Sequence, residues 1–330
     1  MITKLSISNF KSIRQLEIDC KKINLFIGEP NTGKSNILEA LALLSWCARP
    51  GADSLRDYVR FQVIQNLFYD QLLESDICIS VVGKPMVELH VHFKDEHFML
   101  RRRDGNSDWS VTLDHQARDV LIQGMQKFPS DDISFFRFKK LDKYDGNGSA
   151  GLKPPSGTNL FSVVYRSEAL QETMAEFFEK YGLILTLEPN EKVFKLQKEK
   201  QGRARVVISY PYALQSDTLQ RIIFYTIAMA SNRDSMLVFE EPESNAFPYY
   251  TKYLGERIAR DETNQFFIAT HNPYLLSAII EKGRKENVQV FIAYFKDYQT
   301  KIKTLTPDET TQLMEADPFF NLDRFTEEGQ

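Results

Sequence analysis

The sequence predicts an α/β fold with a parallel core sheet, helices on both faces and an additional antiparallel β subdomain. The first observation is a buried strand at 22–27 that runs through a glycine loop into a helix. The second is the last third of the chain, where buried strands at 236–239, 265–269 and 288–294 alternate with helical segments. Such alternation is typical of parallel sheets, because each crossover returns the chain to the same sheet edge. The third is a series of short alternating strands between 75 and 113, separated by turn residues, which predicts the antiparallel subdomain.

The remaining elements follow from the same periodicities. Apolar and polar residues alternate at 2–7 and 16–18, which predicts an N-terminal antiparallel hairpin. The Gly-, Ser- and Pro-rich stretch 145–157 predicts a hinge that divides a single bilobed head into an N-terminal lobe, 1–145, and a C-terminal lobe, 146–330. Beyond the hinge we predict helices at 167–181, 218–230, 249–260 and 274–281, and short strands at 183–187, 193–196 and 205–209.

Composition excludes several classes of protein. The chain has 330 residues, of which 42% are apolar, and this is enough for a large buried core. The 41 basic and 45 acidic side chains give a net charge of -4, which excludes a wholly basic nucleic-acid binder but not a local basic patch. Three widely spaced cysteines favour neither a disulfide framework nor a zinc site. With no signal-like or membrane-spanning apolar run in the sequence, we expect a cytoplasmic chain that does not enter a membrane.

The motif Gly28-x-x-x-x-Gly33-Lys34-Ser35 lies between the first buried strand and the following helix, which is the context of a Walker A phosphate loop. The glycines let consecutive N–H groups point at phosphate oxygens, and the helix N-terminus adds its positive end. We expect Lys34 to reach the β- and γ-phosphates and Ser35 to bind Mg²⁺. Since no Asn-Lys-x-Asp guanine motif is found, ATP and Mg²⁺ are the predicted cofactors. The other loop residues expected to contact the nucleotide are Asn31, Thr32 and Asn36.

Polar side chains follow two further buried strands. Glu240 and Glu241 come directly after the strand at 236–239, as in a Walker B motif, and two acids can divide two tasks. We predict that Glu240 holds Mg²⁺ or its water shell and that Glu241 orients or deprotonates the attacking water. His271 follows the strand at 265–269, where ligands of parallel sheets bind, and is predicted to contact the γ-phosphate or the water.

Together these motifs resemble the P-loop NTPases called ABC-type ATPase heads, in the class that contains SMC, RecF and OLD proteins. The resemblance covers essentially the whole chain and is closest to OLD-like ATPases. No SMC-like coiled-coil arms are found, and the roughly 60 residues after Pro273 are too few for the Toprim nuclease domain of full-length OLD proteins. The motifs that carry the resemblance are Asn-Phe-Lys-Ser at 9–12, the Walker A loop, Glu-Glu-Pro-Glu at 240–243 and Thr-His-Asn-Pro at 270–273.

The resemblance implies a homodimer that encloses two ATP molecules, in which a signature serine of each chain completes the site of its partner. Ser216 is the corresponding residue, although the glycine usual in the signature is missing, and it fits a plain helix N-cap equally well. Lys11 and Ser12 are implied to touch the nucleotide phosphates, with a simple surface turn as the alternative. A second departure is Ala-Phe-Pro at 246–248, where Leu-His-Pro is usual.

The function predicted from this resemblance is Mg²⁺-dependent ATP hydrolysis that controls a separate effector, a nuclease or a toxin, in phage defence. One alternative is an ATP-stabilised scaffold or sensor with little hydrolysis, and another is a RecF-like DNA-repair clamp. Two clusters of basic residues are candidates for contacts with the phosphates of DNA. They are Arg101–Arg103, and a second group made up of Lys192, Lys195, Lys198, Lys200, Arg203 and Arg205.

Overall fold

A computed structural model describes residues 1–48, 53–84, 86–105, 107–124, 133–145, 150–200, 206–315, 317–320 and 322–326 of the chain. Within these ranges the chain forms β-sheets of seven, six and three strands, together with α-helices that pack around the six-stranded sheet. None of the helices in the described part is long and apolar enough to cross a membrane. The α/β class predicted from the sequence is confirmed.

The antiparallel subdomain and the N-terminal hairpin are one continuous sheet. Its strands are β1 (Ile2–Phe10), β2 (Ile13–Asp19), β4 (Ile77–Gly83), β5 (Val87–Lys94), β6 (His97–Asp104), β7 (Ser107–Leu113) and β8 (Asp119–Gln123). They lie in the order β2-β1-β4-β5-β6-β7-β8, and every neighbouring pair is antiparallel. The contact between β1 and β4 joins segments that the sequence predicts separately.

The six-stranded sheet is the parallel core. Its strands are β3 (Ile23–Ile27), β9 (Ile133–Phe136), β13 (Met236–Glu240), β14 (Gln265–Ala269), β15 (Val288–Lys296) and β16 (Gln299–Thr304). They lie in the order β16-β15-β3-β14-β13-β9, in which β16 is antiparallel to β15 and the other pairs are parallel. Both halves of the chain contribute strands to this sheet, and the division into lobes at 145 stays a prediction.

Helices cover the core sheet, and those that the sequence predicts lie close to their predicted bounds. They are α1 (Lys34–Cys47), α2 (Leu55–Tyr58), α3 (Leu160–Tyr165), α4 (Glu168–Glu179), α5 (Asp217–Ser231), α6 (Pro248–Arg260), α7 (Pro273–Lys282) and α8 (Pro307–Glu315). The three-stranded antiparallel sheet consists of β10 (Ile184–Glu188), β11 (Val193–Lys200) and β12 (Val206–Pro211). Side-chain N-caps fix several helix starts, since Ser167 and Asn272 accept from backbone N–H groups in the first turns of α4 and α7.

Alternation along the parallel strands builds a hydrophobic core on each face of the sheet. Phe26 of β3 faces α1 and the seven-stranded sheet, and its ring stacks on Phe267 at 6.5 Å and on Phe291 at 5.0 Å between centroids. The neighbouring Leu25 and Phe266 face the helices α5, α6 and α7 on the other side. Because both faces are buried, the tips of these strands are held in fixed positions, and the polar residues that follow them are held with them.

Candidate functional site

The loop between β3 and α1 has the backbone geometry of a phosphate cradle. Gly28 and Gly33 have φ angles of 146° and 93°, which side-chain-bearing residues rarely adopt. A Cβ on Gly33 would collide with the Thr300 hydroxyl and lie 2.9 Å from Ser12 Oγ, and one on Gly28 would collide with the Ala293 carbonyl. Both glycines are therefore required by their surroundings as well as by their backbone conformation.

Lys34 is buried inside this loop. The residue is 4% exposed, and Nζ donates to the carbonyl oxygens of Gly28 at 2.9 Å and Glu29 at 2.6 Å. Burial lowers the pKa of Lys34 to about 8, against the opposing charges of Glu241 and Glu29. The first turn of α1 carries neither an acidic residue nor a side-chain cap. An ammonium group and an uncapped helix N-terminus fit the phosphates of a nucleotide.

Other predicted loop residues shape the cradle and connect it to the N-terminal hairpin. Thr32 Oγ1 donates to the Glu29 carbonyl at 2.8 Å, and Asn31 has a φ of 63°. Asn36 Nδ2 donates to Ser12 Oγ at 2.7 Å, so the β1–β2 turn lies directly against the start of α1. Contact of these residues with a nucleotide stays a prediction.

Thr300 is a neighbour of the cradle that the sequence does not reveal. Its hydroxyl lies 2.6 Å from Ser12 Oγ, and its backbone N–H donates to the Ser12 carbonyl at 2.8 Å. The hairpin of β15 and β16 therefore holds the β1–β2 turn over Gly33. No local motif marks this position, because the contact joins residues 288 positions apart.

A network of five charged side chains connects the hairpin turn to the tip of β13. Glu39 of α1 is fully buried and pairs with Lys11, with Arg60 at 2.7 Å and with Arg137 at 3.5 Å. Arg60 and Arg137 also hold Glu240, with closest distances of 3.0 Å to Oε1 and 2.5 Å to Oε2, respectively. Burial lowers the pKa of Lys11. Lys11 thus ion-pairs with a carboxylate inside the protein, and its phosphate contact stays a prediction.

The side chains predicted to hold Mg²⁺ are the hydroxyl of Ser35, in the first turn of α1, and the carboxylate of Glu240. Magnesium at phosphate sites uses one or two protein oxygens and completes its shell with water and phosphate oxygens, so this small set fits the ion. Both Glu240 oxygens accept from arginine. Direct ligation would have to displace an ion pair, whereas contact through a metal-bound water would not. The geometry therefore favours the water-shell version of the Glu240 prediction.

Glu241 and His271 meet at the tips of β13 and β14, each at the strand tip where the sequence predicts it. His271 Nε2 lies 3.4 Å from Glu241 Oε1, and Ser244 Oγ donates to Glu241 Oε2 at 3.0 Å. The Glu241 N–H donates to the Ala269 carbonyl at 3.0 Å, which ties one loop to the neighbouring strand. The hydrogen bond from His271 is the largest of several effects that lower the pKa of Glu241 to about 2. The carboxylate is therefore ionised at neutral pH.

Ser216 caps α5. Its hydroxyl accepts from the Leu219 N–H at 3.3 Å, and the residue is exposed at the surface. Thr218 Oγ1 donates to the Asn245 carbonyl at 2.9 Å, so the start of α5 contacts the loop that follows Glu241. The N-cap interpretation is confirmed, while a contact across a dimer stays a prediction.

The first candidate DNA cluster is divided by strand alternation. Arg102 points inward and donates to the Leu44 carbonyl at 3.0 Å, whereas Arg101 and Arg103 point outward. Both outward side chains are paired with Asp108, at 2.5 Å and 3.6 Å. The expectation of three adjacent cations facing DNA is therefore corrected to two, which share a carboxylate.

The second candidate cluster is also partly neutralised. Lys195 pairs with Glu188 at 2.7 Å, and Lys198 lies 5.6 Å from the ring centre of Tyr210. Arg203 and Arg205 lie outside the described residues.

Arg60 and Arg137 are site residues that the sequence analysis missed. The available signal for Arg137 is the apolar run Ile-Ser-Phe-Phe before it, which is the strand β9. Because Phe136 is in register with Phe239, Arg137 lies beside Glu240. Arg60 follows no strand and carries no comparable signal.

Family comparisons agree with these motifs. A family model described as "AAA ATPase domain" matches residues 1–149, and a second, described as "AAA domain, putative AbiEii toxin, Type IV TA system", matches residues 162–277. The first model contains the Walker A loop, and the second contains the tips of β13 and β14. Both halves of the site are thus matched.

Relatives of this chain include an uncharacterized archaeal protein and RecF. The chain is 24% identical over 212 residues to uncharacterized protein MJECL10 of Methanocaldococcus jannaschii, across 59% of this chain and 93% of that protein. It is 31% identical over 102 residues to the DNA replication and repair protein RecF of Leptospira interrogans, across 29% of this chain and 28% of RecF. The match therefore spans less than a third of RecF.

Solved SMC heads share the fold. The Smc head domain of Pyrococcus furiosus, solved with an extended coiled coil and bound to the C-terminal domain of ScpA, superposes with a TM-score of 0.54 at 14% identity, across 95% of this chain and 98% of that one. The Smc head domain of Pyrococcus yayanosii, solved with a coiled coil and joint, gives 0.53 at 10% identity, across 95% and 99%.

Proposed function

This chain is an ABC-type AAA ATPase of the SMC, RecF and OLD-like class, and we propose that it hydrolyses ATP with Mg²⁺ and dimerises head to head on ATP. The observation that carries the proposal is the contact of 3.4 Å between Glu241 and His271 on neighbouring strand tips. Glu241 is also close enough to Lys34 for the two charges to affect each other's pKa. The pair is therefore beside the phosphate cradle, where the terminal phosphate of ATP would lie.

Each side chain has a defined task in this proposal. Bound ATP supplies the phosphoryl group, and Mg²⁺ neutralises part of its charge. Lys34 and the N-terminus of α1 hold the phosphates. With a pKa of about 2, Glu241 is a weak base, so its main task is to accept a hydrogen bond from the attacking water and orient it. His271 holds Glu241 in place and offers its imidazole to the water or the terminal phosphate.

Two observations support dimerisation: this chain shares its fold with SMC heads, and Ser216 is exposed. In the monomer the Ser216 hydroxyl caps α5 at the protein surface, next to the loop that follows Glu241. A partner chain can approach this surface without disturbing the core. We propose that the capped end of α5 then faces the phosphates bound by the partner.

The reaction is proposed to control a separate effector in phage defence. The match to a family described by a putative AbiEii toxin supports an effector of the toxin or nuclease type. DNA is the second candidate partner, because the RecF relative is a DNA replication and repair protein. In that case double-stranded DNA should stimulate hydrolysis, less so at high salt.

The test combines native mass spectrometry with phosphate release, with and without ATP and Mg²⁺. The wild type should form a transient dimer and release phosphate, and Glu241→Gln should bind ATP, lose most turnover and accumulate as a dimer. Unchanged turnover in Glu241→Gln would remove its catalytic assignment. If the native mass is the same with and without ATP and phosphate release is negligible, the scaffold alternative is correct. Equal rates with and without DNA would exclude the RecF-like alternative.

A further inference from the structure

Glu243 is the acid of the Glu-Glu-Pro-Glu motif that the proposed reaction leaves without a task. The whole residue is 4% exposed, whereas the Glu241 side chain is 42% exposed. Burying a carboxyl group costs free energy unless hydrogen bonds compensate. Among the described residues, Glu243 Oε2 is buried and has no hydrogen-bond partner. The position of the Glu243 carboxyl group therefore depends on the interactions of its other oxygen, Oε1.

That other oxygen joins the two loops of the site. Glu243 Oε1 accepts a hydrogen bond from the hydroxyl of Thr270, which is fully buried and directly precedes His271. The same hydroxyl accepts from the Asn272 N–H at 3.0 Å, and the Thr270 N–H donates to the Phe26 carbonyl at 3.1 Å. Thr270 is thus fixed to β3 by its backbone, to the start of α7 by its hydroxyl and to the loop after β13 through Glu243.

We propose that Glu243 and Thr270 are positioning residues, and that their hydrogen bond holds His271 against Glu241. This inference rests on the proposed function. Glu241 and His271 are both partly exposed, and the distance of 3.4 Å between them is at the long end for a hydrogen bond. A small movement of either loop breaks this contact. Glu243 and Thr270 lie under the exposed pair and connect the same two loops from within the core, as buried partners of catalytic groups do.

Isosteric substitutions separate this role from simple packing. Thr270→Val keeps the shape of the side chain and removes the hydroxyl, whereas Thr270→Ser keeps the hydroxyl. Glu243→Leu removes the acceptor, and Glu243→Gln keeps an acceptor oxygen. We expect Thr270→Val and Glu243→Leu each to lower kcat about tenfold with KM for ATP within about twofold of wild type, since they act on the transition state. Thr270→Ser and Glu243→Gln should stay within about twofold of wild-type kcat, and the double variant Glu243→Leu/Thr270→Val should match the single ones.

A second readout does not depend on turnover. The imidazole proton resonances of His271, assigned among the five histidines with His271→Gln, report its environment by NMR. They should shift in Thr270→Val and Glu243→Leu and remain at the wild-type position in Thr270→Ser. If Thr270→Val fails to fold in a thermal melt, the comparison of Glu243→Leu with Glu243→Gln gives the same information.

The outcomes distinguish this inference from the proposed function. Wild-type kcat and unshifted His271 resonances in Thr270→Val would overturn the positioning role, as would effects that multiply in the double variant. If the wild type binds ATP without turnover but His271 still shifts, the positioning role stands and the proposed hydrolysis fails. If there is neither turnover nor a shift, both fail.

Discussion

Lys34 is the cation of the site whose charge is most readily lost, because burial lowers its pKa to about 8. The negative charge of a bound triphosphate favours the ammonium form, so the pKa of Lys34 rises in the complex. Binding then takes up a proton when the free protein is above pH 8. We expect ATP affinity to be constant below pH 7 to 8 and to fall as pH rises further, approaching tenfold per pH unit.

Calorimetry of ATP binding between pH 7 and 9.5, in two buffers of different ionisation enthalpy, measures both the affinity and the proton uptake. Lys34→Arg is the matched control, since a guanidinium stays charged throughout this range. Its affinity, although weaker, should not vary with pH. A wild-type affinity that stays constant to pH 9.5 would contradict the prediction.

The buried carboxyl group of Glu243 should make the free energy of unfolding depend on pH. Burial raises its pKa from 4.5 to about 7, so the native state holds the proton more tightly than the unfolded chain. The resulting stabilisation is complete below pH 4.5 and is lost as pH rises through 7. Because the amide of Glu243→Gln does not titrate, the variant does not lose this stabilisation as pH rises. Relative to wild type, the variant should gain roughly 1–3 kcal/mol of unfolding free energy between pH 5 and pH 8.

Urea unfolding at pH 5, 6, 7 and 8 measures this difference, and Glu241→Gln is the control. Glu241 has a lowered pKa, so its removal should not produce a stability gain with rising pH over this range. Parallel curves for wild type and Glu243→Gln would show that Glu243 is ionised in the native state throughout.

At the scale of elements, β9 matters because it delivers Arg137 to the two acids Glu39 and Glu240. Arg137 is 28% exposed and Arg60 is 59% exposed, although both contact the same acids. Removing one partner from a buried acid leaves its charge poorly compensated, which is more costly than losing a surface pair. Arg137→Met should therefore lower the unfolding free energy by roughly 2–4 kcal/mol, and Arg60→Met by less than half of that.

Thermal and urea unfolding of the two variants test this ranking, and Arg137→Lys shows how much of the loss is due to charge alone. A larger effect for Arg60→Met would mean that Arg60 is the main partner of Glu39. The Mg²⁺ dependence of phosphate release, measured on the same variants, shows whether the position of Glu240 affects metal use.

The elements that the sequence predicts are those set by local periodicity, and the ones it misses depend on distant contacts. β14 is predicted at its observed bounds because five apolar-rich residues precede a polar turn, and this puts His271 at a strand tip. β9 has only four residues and is not predicted, so Arg137 is not predicted as a site residue either. Glu39 looks like an ordinary helix position, since Lys11 and Arg60 are 28 and 21 positions away from it. The inclusion of Arg102 in a DNA-facing cluster is wrong, and the alternation of side chains along a strand is enough to predict that Arg102 points inward.

At the scale of the whole molecule, the proposed dimer depends on what a partner chain contacts at the start of α5. The Ser216 hydroxyl makes a contact there that is independent of any partner, its cap on the Leu219 N–H at 3.3 Å. Loss of a cap costs about 1 kcal/mol of stability, so a substitution that removes it changes both the monomer and the proposed interface. A useful variant pair must keep the cap in one member.

Ser216→Asn keeps a capping side chain, whereas Ser216→Arg places a long cation on the exposed end of α5. If this end faces the partner's nucleotide, Ser216→Arg in the Glu241→Gln background should abolish the ATP-dependent dimer and leave ATP binding within about twofold, and Ser216→Asn should retain the dimer. Sedimentation velocity with ATP and Mg²⁺ resolves the two states. A dimer that survives Ser216→Arg would move the interface away from α5, and wild-type turnover in Ser216→Arg would favour an ATP-stabilised scaffold.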